Sequence, residues 1–142
     1  VFAAIDLLPQ FFISEEVTKF LKKKTQLYTL FSVIFYMQRN SLSVSEIQLQ
    51  NLQNFVDLYA VFNNDMDLTN QIDENEKVLF DWLKKYKLAS SEGLNKHTNR
   101  MIRYNVMKDF MFTISPTLGN AEQTLLTKMR ASATTVVDDP EE

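Results

Sequence analysis

Apolar residues recur along this chain at helical rather than strand spacing. Behind Ser43-Val44-Ser45-Glu46, which has the S-x-x-E form of a capping box, Ile47, Leu49, Leu52, Phe55, Val56, Leu58, Tyr59 and Phe62 make one wide stripe. The spacing predicts a helix to about Asn63. Asp73-Glu74-Asn75-Glu76 reads as another helix start, followed by Val78, Leu79, Trp82, Leu83 and Tyr86, with Gly93 as a stop near a C′ position. Met101, Ile102, Tyr104, Val106, Met107, Phe110 and Met111 predict a helix over 97–112, broken at Ser115-Pro116. A weaker helix is expected over about 118–131. Upstream, residues 2–8 suit a short helix ended by Pro9, and Ser14 suits an N-cap with Glu15 and Glu16 in the first turn. Lys22, Lys23 and Lys24 either close that helix or lie within a longer one. Residues 25–38 are apolar on nearly every side, which predicts a helix at the centre of a bundle. The expected fold class is all-α, an irregular bundle of five to seven helices over residues 1–134, with an acidic flexible tail at 135–142.

Composition supports this. Two glycines and three prolines are too few for the frequent turns of a strand-rich fold. The absence of cysteine excludes disulfides, thiol catalysis and thiolate metal sites, and suits a reducing, cytoplasmic setting. A single histidine, His97, excludes a His-cluster metal site within the chain. The longest apolar run, Leu27 to Met37, falls short of the roughly 20 residues that span a bilayer, so no membrane partner is expected. The opening Val1-Phe2-Ala3-Ala4-Ile5-Asp6 lacks the basic region of a signal peptide and is read as an internal boundary of a longer protein.

Charge is segregated along the chain, although the net value is only −3. Residues 46–83 hold eight acidic side chains against Lys77 alone. Residues 84–108 hold seven basic side chains against Glu92 alone. One reading makes both blocks solvated helix faces. The other makes the basic block an anion or nucleic-acid contact, built from Lys84, Lys85, Lys87, Asn95, Lys96, His97, Asn99, Arg100 and Arg103. Arg100 and Arg103, spaced i and i+3, are then expected on one helix face near its N-terminus. The acidic block and the aromatic-rich helices instead suit protein partners or self-association.

Three further patterns tempt a functional reading. Asp65, Asp67, Thr69, Ile72, Asp73 and Glu76 match positions of a calcium-binding EF-hand loop, but Asn70 stands where the turn wants glycine, and a polar interhelical loop explains them as well. Trp82 and Tyr86, at i and i+4, could form a base-stacking platform, but their helix also carries Val78, Leu79 and Leu83, so a core role is favoured. His97 as a general base would need a nucleophile and an orienting group that spacing does not supply. Glu15 with Glu16, and Glu74 with Glu76, do not converge on a helix. No catalytic constellation, cofactor site or metal site is expected.

Residues 88–104, from Leu88 through Glu92, Gly93, Asn95, Asn99, Arg100 and Arg103 to Tyr104, resemble a segment of GmrSD-type bacterial restriction proteins, whose N-terminal domain is a ParB/sulfiredoxin-like nucleotide hydrolase. The basic turn and apolar helix from Lys23 to Phe35 are similar too. Together the two segments cover about 30 residues. The resemblance implies the helical region of a DNA-targeting anti-phage defence protein. That region would contact DNA or a neighbouring domain through 84–108, and any nuclease activity would lie in the parent chain. It equally allows a structural role, in which one of the two arginines, Arg100 or Arg103, reaches back to cap the preceding helix carbonyls with Glu92 nearby.

Overall fold

The computed structural model describes residues 6–63, 66–68, 70–91, 93, 96–112 and 116–138, and these contain helices and no strand. A 3₁₀ turn at Leu8–Phe11 precedes α1 (Glu15–Leu21), α2 (Lys24–Arg39), α3 (Glu46–Val61), α4 (Glu74–Ala89), α5 (His97–Phe112) and α6 (Pro116–Asp138). The all-α class read from the sequence is therefore correct.

Side-chain caps fix the starts of two helices. Ser14 caps α1 by accepting from the Val17 N–H at 3.1 Å. Lys22 ends α1 and Lys23 begins α2, so the three lysines separate two helices. Asp73 and Glu76 form a complete capping box on α4, each side chain accepting the other's backbone N–H at 2.8 and 2.9 Å. The box expected at Ser43 does not form: Ser45, two residues on, is the N-cap of α3, and its hydroxyl donates to Gln48 Oε1 instead of accepting a backbone N–H. The short helix expected over 2–8 lies largely outside the described residues; Asp6 and Leu7 are helical, and Pro9 sits in the first turn of the 3₁₀ element that follows them. Pro116 likewise opens α6, which continues to Asp138, beyond the expected end and into the first residues assigned to the tail.

α2 ends in a Schellman motif. Leu42 N–H reaches Met37 O at 2.8 Å, Ser41 N–H reaches Gln38 O at 3.3 Å, and Ser41 is left-handed at φ 53°. Gly93 is also left-handed, at φ 60°, but it is not the C′ residue of α4. It lies past the Ser90 C-cap, where its carbonyl accepts from Lys96 N–H and Asn99 Nδ2, both at 3.0 Å.

α3 packs against α1, α4, α5 and α6, while α5 packs against α2, α3 and α4, so these two form the centre. α2 is not central, contrary to its apolar sequence. Its inner face buries Thr29, Leu30, Val33, Ile34 and Met37, but Tyr28 remains 62% exposed. Aromatic residues make this possible: Phe31, Phe35 and Tyr36 are half-buried on its flanks, and Phe31 and Phe35 stack at 6.4 Å. The core itself joins four helices through rings. Phe55 of α3 meets Tyr86 of α4 at 5.0 Å and Phe110 of α5 at 4.9 Å, and Phe20 of α1 meets Phe55 at 5.7 Å.

Among the described residues three charged side chains are buried, and each heads an apolar stripe. Glu76 precedes Leu79, Phe80 and Leu83; Arg103 precedes Val106, Met107 and Phe110; Glu122 precedes Leu125, Leu126 and Met129. In every case the spacing is i, i+3, i+4, i+7, the register of a core-facing helix side.

Candidate anion-binding groove

Ser32, Phe35 and Arg39 follow one another along α2 at i, i+3 and i+7. His97, Arg100, Met101 and Tyr104 do so along α5 at i, i+3, i+4 and i+7. The two rows line an open groove of about 400 Å³. Arg39, His97 and Arg100 are exposed, and Phe35 and Tyr104 are half-buried. Lys108, one turn beyond Tyr104, holds its ammonium 5.1 Å from the rings of both Tyr36 and Tyr104. No carboxylate is among the described residues lining the groove. Exposed arginines beside half-buried rings are therefore its chemistry.

Of the residues expected to make one positive surface, only His97 and Arg100 lie in this groove. Arg103 does not share Arg100's face. It is 4% exposed and donates from Nη1 to Ala89 O at 2.6 Å and from Nε to Thr29 Oγ1 at 3.4 Å. The guanidinium thus caps the C-terminal end of α4 from inside the bundle. Burial lowers its pKa below the ordinary guanidinium value, Tyr86 opposes that shift, and Arg100 adds to it. The physical reason is depth along the helix: Arg103 is followed by Val106, Met107 and Phe110 in the packed part of α5, whereas Arg100 lies a turn nearer the helix start, where it is exposed.

The lysines of α4 are elsewhere. Lys84 lies 5.9 Å from the Phe80 ring, Lys87 lies 5.3 Å from the Tyr59 ring of α3, and Lys85 is exposed. Lys96 is exposed beside Gly93, and Asn99 ties the turn before α5 to its first coil through Gly93 O. Asn95 and Glu92 lie outside the described residues. Arg39 was not anticipated, yet a signal existed. Tyr28, Ser32, Phe35 and Arg39 recur at helical spacing on α2 and mark a side that the core does not use.

The other candidates resolve into structure. Glu76, the twelfth position of the EF-hand pattern, accepts Lys128 Nζ at 2.7 Å, the Thr124 hydroxyl, and the Asp73 N–H of its own capping box. Burial pushes its pKa up, but the hydrogen bonds from Lys128, Thr124 and Asp73 outweigh it and hold the carboxyl below its ordinary value. A carboxylate so engaged has no oxygen to offer calcium; Asp65 and Thr69 lie outside the described residues. Among the described residues no group of three or more His, Cys, Asp or Glu could hold a metal ion. Tyr86 is fully buried and donates to Gln26 Oε1, while Trp82 packs edge-on against Phe110 at 5.2 Å. Neither forms a stacking platform. His97 is exposed.

Among the described residues no helix is long and apolar enough to cross a membrane. Compared with models of protein families, with curated proteins and with solved structures, the chain matches none of them. The likeness to GmrSD-type restriction proteins therefore rests on the two segments quoted from the sequence.

Proposed function

We propose that this chain is a non-catalytic helical domain that contacts the phosphate backbone of DNA through the α2–α5 groove. In the setting implied by residues 88–104, it would serve a DNA-targeting restriction or defence protein of the bacterial cytoplasm. The observation that supports this reading is the convergence of Arg39, His97 and Arg100 from two helices on one groove, with no acidic side chain among its described lining residues. Guanidinium groups recognise phosphate by charge and by paired hydrogen bonds. The contact surface differs from the sequence expectation: Arg39 enters, and Lys84, Lys85, Lys87 and Arg103 leave.

The domain carries a net charge of −3, so binding depends on the groove and not on a global field. Two arginine–phosphate contacts imply that log K falls against log salt with a slope of about −2. Fluorescence anisotropy of labelled DNA at low and moderate salt tests this. Arg39→Gln with Arg100→Gln should abolish binding, and Lys84→Gln with Lys85→Gln should leave it. No binding at low salt removes the reading.

A second reading is self-association, with a second copy of the chain as the occupant. It is favoured by Ile47, 66% exposed beside Ile13 in a shallow groove with Leu49, Gln50 and Gln53, where Glu46 is the one charged residue among the described lining. Sedimentation over a concentration series decides it, and a strict monomer removes it.

A further inference from the structure

We infer that the α2–α5 groove selects single-stranded over duplex nucleic acid, holding a splayed base against its rings while its arginines hold the flanking phosphates. This rests on the phosphate-contacting reading above and goes beyond it by naming the form of the ligand.

Two features of the groove carry the inference. The first is the small amount of charge. A protein that grips a duplex by its backbone makes about 6–10 phosphate contacts, and affinity falls with each one that is missing. This groove offers Arg39 and Arg100, with Lys108 one further step along α5. That is too little to hold a duplex at physiological salt by charge alone. The bundle adds no other strong field, since the net charge is −3 and the α3–α4 stretch of sequence is acidic.

The second feature is what lies between the cations. Phe35 projects from α2, and Met101 and Tyr104 project from α5, all within the same lining as the two arginines. Met101 is 40% exposed, and the two rings are half-buried, Phe35 stacked with Phe31 at 6.4 Å and Tyr104 edge-on to Tyr36 at 6.5 Å. A duplex keeps its bases stacked on each other and presents no free base face. A single strand presents one to every ring, and each base stacked on a side-chain ring strengthens binding by roughly 5- to 150-fold. With few phosphate contacts available, that stacking factor decides which form binds.

Contact with Phe35 and Met101 is tolerant of sequence, since neither offers a hydrogen bond to a base edge, and Ser32 donates to Tyr28 O at 3.3 Å. The main discrimination expected is thus between strand states.

The test measures the anisotropy of three labelled 12-residue probes with the unaltered chain at one low salt concentration: a dT strand, the same strand as duplex with dA, and an abasic strand of equal length. The inference expects the dT strand to bind at least tenfold more tightly than both others. Tyr104→Leu and Phe35→Leu should each lower dT affinity at least fivefold, Tyr104→Phe should retain it, and thermal melts should show all three variants folded. Equal affinity for all three probes, lost in Arg39→Gln with Arg100→Gln, overturns the stacking and leaves the phosphate reading standing. Failure of every probe to bind overturns both. Because the probe comparison uses the unaltered chain, it decides the matter even where a ring variant does not fold.

Discussion

Replacing Glu122 by glutamine should stabilise this protein in a strictly pH-dependent way. Glu122 is 1% exposed on α6; its Oε1 accepts from Asn54 Nδ2 of α3 at 3.0 Å, and its Oε2 is buried without a hydrogen-bond partner. Burial raises its pKa from the ordinary 4.5 to about 7, and the Asn54 hydrogen bond only partly opposes that. The folded protein therefore binds a proton more tightly than the unfolded chain does. Stability from this group is complete below pH 4.5 and is lost as pH rises towards 7. A shift of that size corresponds to about 3 kcal/mol, nearly all of it gone by pH 7. A glutamine side chain in its place is neutral throughout, keeps an oxygen for Asn54 and matches the shape of the protonated acid. The two proteins should melt together near pH 4.5, and Glu122→Gln should melt roughly 10 °C higher at pH 7.5. Thermal unfolding of both, followed by circular dichroism across pH 4.5–8, isolates this one group, because every other titration is shared. Melting curves that stay parallel across the range would refute the assignment of a buried, isolated carboxyl.

Arg103→Ala should cost about 3 kcal/mol in urea unfolding, since it strips Ala89 O of its buried donor and leaves a void. Arg100→Ala, on the exposed groove, should change stability by less than about 0.5 kcal/mol. Lys128→Met should lower stability by about 1 kcal/mol at pH 7, a small value because Lys128 is partly solvated. The lowered pKa of Glu76 means that this contribution is present above the ordinary 4.5 and disappears as pH falls through the depressed value, so the two proteins should converge in acid. Ser41→Gly should raise stability by about 1 kcal/mol, because φ 53° penalises a side chain there; a lower melting temperature would count against the strain.

Periodicity made the six helices legible, together with capping chemistry at Ser14 and Asp73. The misplacements have local causes. Ser43-x-x-Glu46 and Ser45-x-x-Gln48 are both caps by composition, and only packing chooses between them. α2 was expected at the centre because its residues are apolar, yet its rings are large enough to be covered on one side and open on the other. The site was half legible. Arg100 and His97 could be found from charge alone, but Arg39 could not, because α2 and α5 meet only in three dimensions. The burial of Arg103 was only partly readable: counting back two turns from Phe110 lands on Arg103, but the same step from Met107 lands on Arg100, so register alone does not choose between them. What decides is that Arg100 lies in the first turn of α5, short of the packed core, and that follows from how α4 and α5 meet.

The charged heads of the three apolar stripes also bear on how the helices find their alignment. Leucines, methionines and phenylalanines pack acceptably in several offsets, so they discriminate weakly between neighbouring alignments. A slide of α5 by one turn, about 5.4 Å, would part Arg103 from the Ala89 carbonyl and strand its charge in a dry interior. An equal slide of α4 against α6 would separate Glu76 from Lys128, and one of α6 along α3 would separate Glu122 from Asn54. Each helix pair thus carries a polar notch that closes at a single offset, and mis-threaded bundles forfeit it.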